Sequence, residues 1–243
     1  MNAQDRSGHG WWPYVVPYFS FLLAVEVTRR FPEEWGLIGL LLKPGVPGAA
    51  MIWFAKRGAY PELRSPRFES AWVLADLGLG VALAALWIVP YVYIPAIRPD
   101  DLSGFDPEML GASLVGATLG LRMLGYGLVT PFLEEVFIRG FVMRYSEVFQ
   151  SPRDFRSVPL AHFSWVSFTS TIVMFTLGHV FWEWWVAVPW VVLTNLWFYY
   201  RKDLYAVIFV HAATNASMLA FVAATAGSFR GPDGQPLSLW FFV

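Results

Sequence analysis

An all-α fold, a polytopic bundle of about seven transmembrane helices around a buried polar site, is what this sequence predicts, and three observations predict it. The 243 residues are 56% hydrophobic and only 14% charged. Aromatic residues make up 18%, with 13 Trp, 21 Phe and 10 Tyr, more apolar surface than a soluble core of this size can hide. The apolar residues also fall in long runs, several of them near the ~20 residues that cross ~30 Å of hydrocarbon.

The first span covers about 12–28, after the polar start MNAQDRSGHG. No small-residue cleavage site follows it, so it reads as a retained span rather than a signal peptide. The second covers about 35–55 and contains KPGVPG at 43–48, which predicts a kink or a re-entrant break. The third covers about 70–95, followed by the acidic connection RPDDLSGFDPE at 98–108. The fourth, about 110–145, is longer than one crossing needs. The fifth, sixth and seventh cover about 164–182, 184–200 and 203–226. The tail, FRGPDGQPLSLWFFV, is too short in apolar residues to span again, and its end is expected in the membrane interface. These spans divide the chain into an unassigned three-span region, 1–109, a helical core, 110–226, and a C-terminal tail, 227–243.

Loop charge gives orientation. With the spans alternating, ten Lys and Arg fall on the N-terminal side (Arg6, Lys56, Arg57, Arg64, Arg67, Arg144, Arg153, Arg156, Arg201, Lys202) and four on the other (Arg29, Arg30, Arg98, Arg230). That asymmetry predicts a multi-pass protein with a cytoplasmic N-terminus, in the plasma (inner) membrane if bacterial. The net charge of -1 shows no nucleic-acid footprint. The absence of cysteine excludes disulfides, thiolate zinc sites and a cysteine nucleophile.

Charges at depth are costly unless paired or functional. Glu26, Asp76 and Arg122 lie within a few turns of span ends and have an interfacial or structural explanation. Three other places resist it. In FLEEVFIRGF, 132–141, Glu134 is about ten residues, ~15 Å, from the end of its span. Glu135 and Arg139 are four apart on one helix face and can pair. Glu134 points ~100° away from that pair and is left free. MFTLGHVFW, 174–182, places His179 four residues after Phe175. IFVHAATNASML, 208–219, places His211 and Asn215 four apart among small residues that allow close helix approach.

A free Glu, two His and an Asn are the parts needed to activate water and to stabilise an oxyanion. Glu134, His179 and His211 are equally a ligand set for a zinc ion with an open position. Spacing does not separate these chemistries. Intramembrane Glu, His and Arg also mark ion pathways, so a proton-coupled transporter and a non-catalytic membrane scaffold stand as alternatives. Neither G-x-S-x-G nor H-E-x-x-H occurs.

EEVFIR (134–139), FTLGH (175–179) and HAATN (211–215) fit the patterns EExxxR, FxxxH and HxxxN, in that order and each in an apolar span. In this the sequence resembles the CPBP family of intramembrane proteases, which includes CAAX prenyl endoproteases and bacteriocin-processing (Abi) proteins. The resemblance covers about 110–226 and makes that region the expected catalytic core. It implies an endopeptidase that cuts near the C-terminus of a protein or peptide substrate, prenylated or otherwise anchored in the bilayer. It assigns Glu134 as the general base, His179 as a holder of the same water, and His211 and Asn215 as oxyanion donors. Glu135 and Arg139 would organise the site or hold substrate. It favours a glutamate-type mechanism without cofactor over a zinc enzyme. The family's larger members have eight spans, so an eighth is an open expectation here. The span placement itself puts Glu134 and His211 at mid-depth, reached from the cytoplasmic side, with His179 displaced toward the opposite side.

Overall fold

The computed structural model describes residues 10–64, 66, 68–231 and 234–243. Among these, seven helices follow the apolar runs. They are α1 (Trp12–Thr28), α2 (Gly36–Ala55), α3 (Ser70–Tyr93), α4 (Ala112–Tyr145), α5 (Trp165–Leu177), α6 (Trp184–Arg201) and α7 (Leu204–Ala224). The β pairing among the described residues is one isolated bridge, Arg230 to Pro236. Glu33–Ala55, α3, α4 and α7 are long and apolar enough to cross a membrane, which supports an integral membrane protein.

Local chemistry sets several boundaries. α5 starts in a capping box in which the side chains of Ser164 and Ser167 each accept the other residue's backbone N–H. Asp203 caps α7 by accepting the Tyr205 amide. Between α6 and α7 the chain turns sharply through Lys202, at φ 52°. The expected break at KPGVPG is absent, because α2 runs unbroken through Pro44 and Pro47. Each proline removes one helix donor, but neighbouring helices hold the segment. Gly125 of α4 leaves the space that Pro44 fills.

α4 is not a uniform helix. α-helical turns at Val115–Arg122 and Thr130–Phe137 alternate with π-helical segments at Met123–Val129 and Ile138–Val142. The Thr130 amide reaches back to the Gly125 carbonyl, five residues away. Pro131, without an N–H, cannot serve the Gly127 carbonyl as an α-helix would. Such insertions of π geometry concentrate at functional sites.

The core divides into two clusters, one at each end of the bundle. The proximal cluster gathers the start of α1 (Tyr14, Tyr18), the end of α2 (Met51, Phe54), the second half of α4 (Leu133 to Met143) and the start of α7 (Leu204, Val207). The distal cluster gathers the second half of α3, the start of α6 and the second half of α7. Here α3 and α7 pass so closely that a Cβ on Gly80 would overlap the Val210 carbonyl and Ala213. The Thr214 hydroxyl lies 3.1 Å from the Gly80 carbonyl.

Two peripheral charges behave as structure. Glu26 is exposed and accepts from Arg30 at 2.6 Å. Asp76 is buried and accepts from Trp197 Nε1 at 2.8 Å and from Arg201 at 3.1 and 3.2 Å. The tail packs against the distal end of the bundle. Leu237, Leu239, Phe242 and Val243 are buried in the distal cluster. The Phe105 amide donates to the Trp240 carbonyl, and Tyr126 donates to that of Phe242. Its apolar side chains complete a core that the shorter helices leave open.

Candidate active site

The two adjacent carboxylates of α4 have different environments, as their ~100° separation requires. Glu135 is fully buried. Arg139 Nη1 donates to its Oε1 at 2.9 Å and lies 2.8 Å from Oε2. The same Oε1 accepts from His211 Nδ1 at 2.8 Å. Arg139 in turn donates through Nη2 to the Thr194 hydroxyl of α6 at 2.8 Å, and its guanidinium lies 5.6 Å from the ring centre of Phe175. Glu135 therefore ties α4 to α7, and Arg139 ties α4 to α5 and α6. The i, i+4 pair is the expected one; the bond from His211 to the same carboxylate was not legible from spacing.

The Glu134 side chain makes no hydrogen bond among the described residues, and its nearest ionic neighbour is His211, whose Nε2 is 3.8 Å from Oε2. With its Nδ1–H given to Glu135, His211 presents Nε2 toward Glu134. His179 departs from its expected place on the fifth helix. α5 ends at Leu177 and His179 lies just beyond it, where its Nδ1–H donates to the Phe175 carbonyl at 2.8 Å. The helix is 13 residues, ~20 Å by rise, so its end is recessed relative to a full crossing. That recess brings His179 level with the site, and it leaves Nε2 as a lone-pair acceptor. The Phe175 ring packs on both histidines, at 4.5 Å from His179 and 6.1 Å from His211. Asn215 donates through Nδ2 to the Tyr126 carbonyl at 2.9 Å, inside the first π segment, and one amide N–H remains.

Glu134, His179, His211 and Asn215 all line one cavity of about 350 Å³. It does not reach the N-terminal end of the bundle, contrary to the span-based expectation. Its walls come from the distal halves of the helices: Leu22 and Val25 of α1, Leu40 and Lys43 of α2, Leu121 and Arg122 of α4. The proximal end is closed by the aromatic cluster of Tyr14, Phe137, Phe141 and Phe155, and by the buried pair Arg144–Glu62 at 3.3 Å.

Three further charged residues line the cavity, and sequence reading gave none of them a role in the site. Arg122 is half-buried. Its guanidinium lies over Tyr126 at 5.0 Å and Phe105 at 5.2 Å, and its buried Nε has no hydrogen-bond partner. Lys43, from the unbroken α2, lines the same wall. Among the described residues neither cation forms an ion pair with an acid. Glu183, in the connection to α6, faces the cavity beside His179, and burial pushes its carboxyl up to about 7. The signal for all three was a charge in an apolar context, which for Arg122 snorkelling explained equally well.

Among the described residues, no three His, Asp or Glu side chains cluster as a metal site would require.

Residues 116–217, which hold all of this constellation except Lys43, match the family described as type II CAAX prenyl endopeptidase Rce1-like. This agrees with the resemblance carried by the three motifs. Comparison of the chain with curated proteins and with solved structures gives no match.

Proposed function

We propose that this chain is an intramembrane endopeptidase that hydrolyses a peptide bond near the C-terminus of a membrane-associated or lipidated protein, using water activated by Glu134 and His179. The observation that carries this reading is the division of labour between two adjacent carboxylates. Glu135 holds Arg139 and His211, while Glu134 faces the cavity without a hydrogen-bond partner among the described residues. The family match over 116–217 supports the reaction class.

The attacking water sits between two acceptors, the Glu134 carboxylate and His179 Nε2. Glu134 takes its proton as the oxygen attacks the scissile carbonyl, and returns that proton to the departing amine. His211, protonated on Nε2 and braced by Glu135, donates to the oxyanion together with the second N–H of Asn215. General-base action contributes roughly 10²–10⁴ in rate, and an oxyanion donor about 10²–10³. Lys43 and Arg122 favour substrates that bring an acidic group into the cavity.

The test is Glu134→Gln, which keeps shape and removes the base. Wild type and variant are reconstituted in proteoliposomes with two C-terminal peptides, one farnesylated and one unmodified, and membrane proteomes of cells carrying each are compared. Hydrolysis and processed membrane proteins are expected to disappear in the variant while its melting temperature stays unchanged. Undiminished cleavage by both Glu134→Gln and His179→Ala overturns the proposal. Chelator inhibition reversed by zinc replaces the glutamate mechanism with a metal-dependent one.

A further inference from the structure

The distribution of basic residues and the direction of the cavity, taken together, identify the side from which the site is loaded. Every helix contributes to the cavity from its distal half or its middle: α1 through Val25 near its end, α2 through Lys43 near its start, α3 through Trp87 near its end. The proximal half below Glu134 is filled by buried side chains, from Leu133 and Val136 to Phe137 and Val207. A polypeptide can reach Glu134 without displacing that core only from the distal end, or from the bilayer between distal helix halves.

The proximal end is also the basic end. Among the described residues, eight Lys and Arg belong to its connections and four to the distal ones. Setting aside the ion-paired ones, Arg144, Arg156 and Arg201 at this end and Arg29 and Arg30 at the other, leaves five against two. Arg98 weakens the distal set further, because it donates to the Tyr91 and Val92 carbonyls at the end of α3. By the positive-inside rule the proximal end lies in the cytoplasm. The cavity therefore points away from it.

We propose that the site is loaded from the non-cytoplasmic face, by a membrane-anchored polypeptide whose cleaved segment has already crossed the bilayer. That segment is apolar and extended, to match walls such as Leu22, Leu40 and Leu121, and carries an acidic group toward Lys43 and Arg122. Calling it a substrate rests on the endopeptidase reading; the direction of loading does not.

Because the chain contains no cysteine, a single introduced thiol reports alone. Leu121→Cys and Thr130→Cys place it on the cavity wall. Asp100→Cys and Arg153→Cys mark the exposed distal and proximal connections. A charged, membrane-impermeant maleimide is added to intact cells or to inverted vesicles. The cavity thiols are expected to label from the outer face, together with Asp100→Cys, and to be lost to a second label after blocking from that face. Arg153→Cys should label only in inverted vesicles. Cavity thiols that label from the Arg153 face overturn the proposal. So do cavity thiols that label in detergent but not from the outer face, and so does an Asp100→Cys that is reached only in inverted vesicles. Labelling needs no turnover, so the two readings fail separately. An inactive protein labelled from outside sinks the peptidase reading alone, and an active one labelled from the Arg153 face sinks this proposal alone.

Discussion

At the proximal end Glu62 and Arg144 are buried 3.3 Å apart, and nearby Asp76 receives three hydrogen bonds from Trp197 and Arg201. At the distal end Lys43, Arg122, Glu134 and Glu183 line a cavity, and no two of them form an ion pair among the described residues. Both regions place charge in an apolar setting, where desolvation costs several kcal/mol per ion. The proximal end offsets that cost internally and gains a fixed geometry. The distal end leaves it partly uncompensated, which makes sense if water or a bound polypeptide completes the site. Between the two lies Glu135, paired like the proximal charges and placed like the distal ones, holding His211 for the cavity.

The contrast breaks most visibly at its catalytic extreme. Glu134→Gln and His179→Ala should each lower turnover by about 10²–10⁴ with little change in melting temperature, read by peptide hydrolysis and thermal unfolding of the same preparations. At the paired end the effects reverse. Arg144→Met leaves Glu62 buried alone and should cost about 3–5 kcal/mol of stability, while the kcat of the surviving folded fraction stays near wild type. Arg122→Met sits between these cases. Removing an unpaired, half-buried charge should leave the melting temperature unchanged or raise it. Activity should fall about ten- to a hundredfold, the weight of one hydrogen bond to a charged group, mainly in KM for acidic substrates. An Arg122→Met protein that unfolds as readily as Arg144→Met would erase the distinction between the two ends. The smallest effect is at Glu183. Its folded carboxyl titrates near 7 against an unfolded value of 4.5, so the native state holds the proton more tightly in that window. Wild type should therefore lose stability relative to Glu183→Gln as pH rises from about 4.5 through 7, seen as a growing gap between their melting temperatures.

The helical spans were readable because each is a long apolar run, and the boundary residues Ser164 and Asp203 announce themselves by type. The Glu135–Arg139 pair follows from i, i+4 spacing alone. Other features depend on contacts between helices that sequence separation hides. Pro44, inside the unbroken α2, packs against Gly125 of another helix. His179 owes its depth to the early end of α5 rather than to its own neighbours. The cavity's direction came from the proximal core cluster, whose members are spread from Tyr14 to Ile208. The tail reads as polar and short, yet its few apolar residues find buried places.

The π segments of α4 carry one more consequence. A π turn is, in register, a helix that has absorbed one extra residue. Deleting a single residue between Met123 and Val129 would let the α pattern run straight through, with the flanking turns kept in register and the bulge itself lost. The Tyr126 carbonyl, which the π segment presents to Asn215, would return to the helix's own hydrogen bonding. Length in this stretch is therefore as strictly specified as side-chain identity. A one-residue gap would disarm the site while every motif residue remained in place.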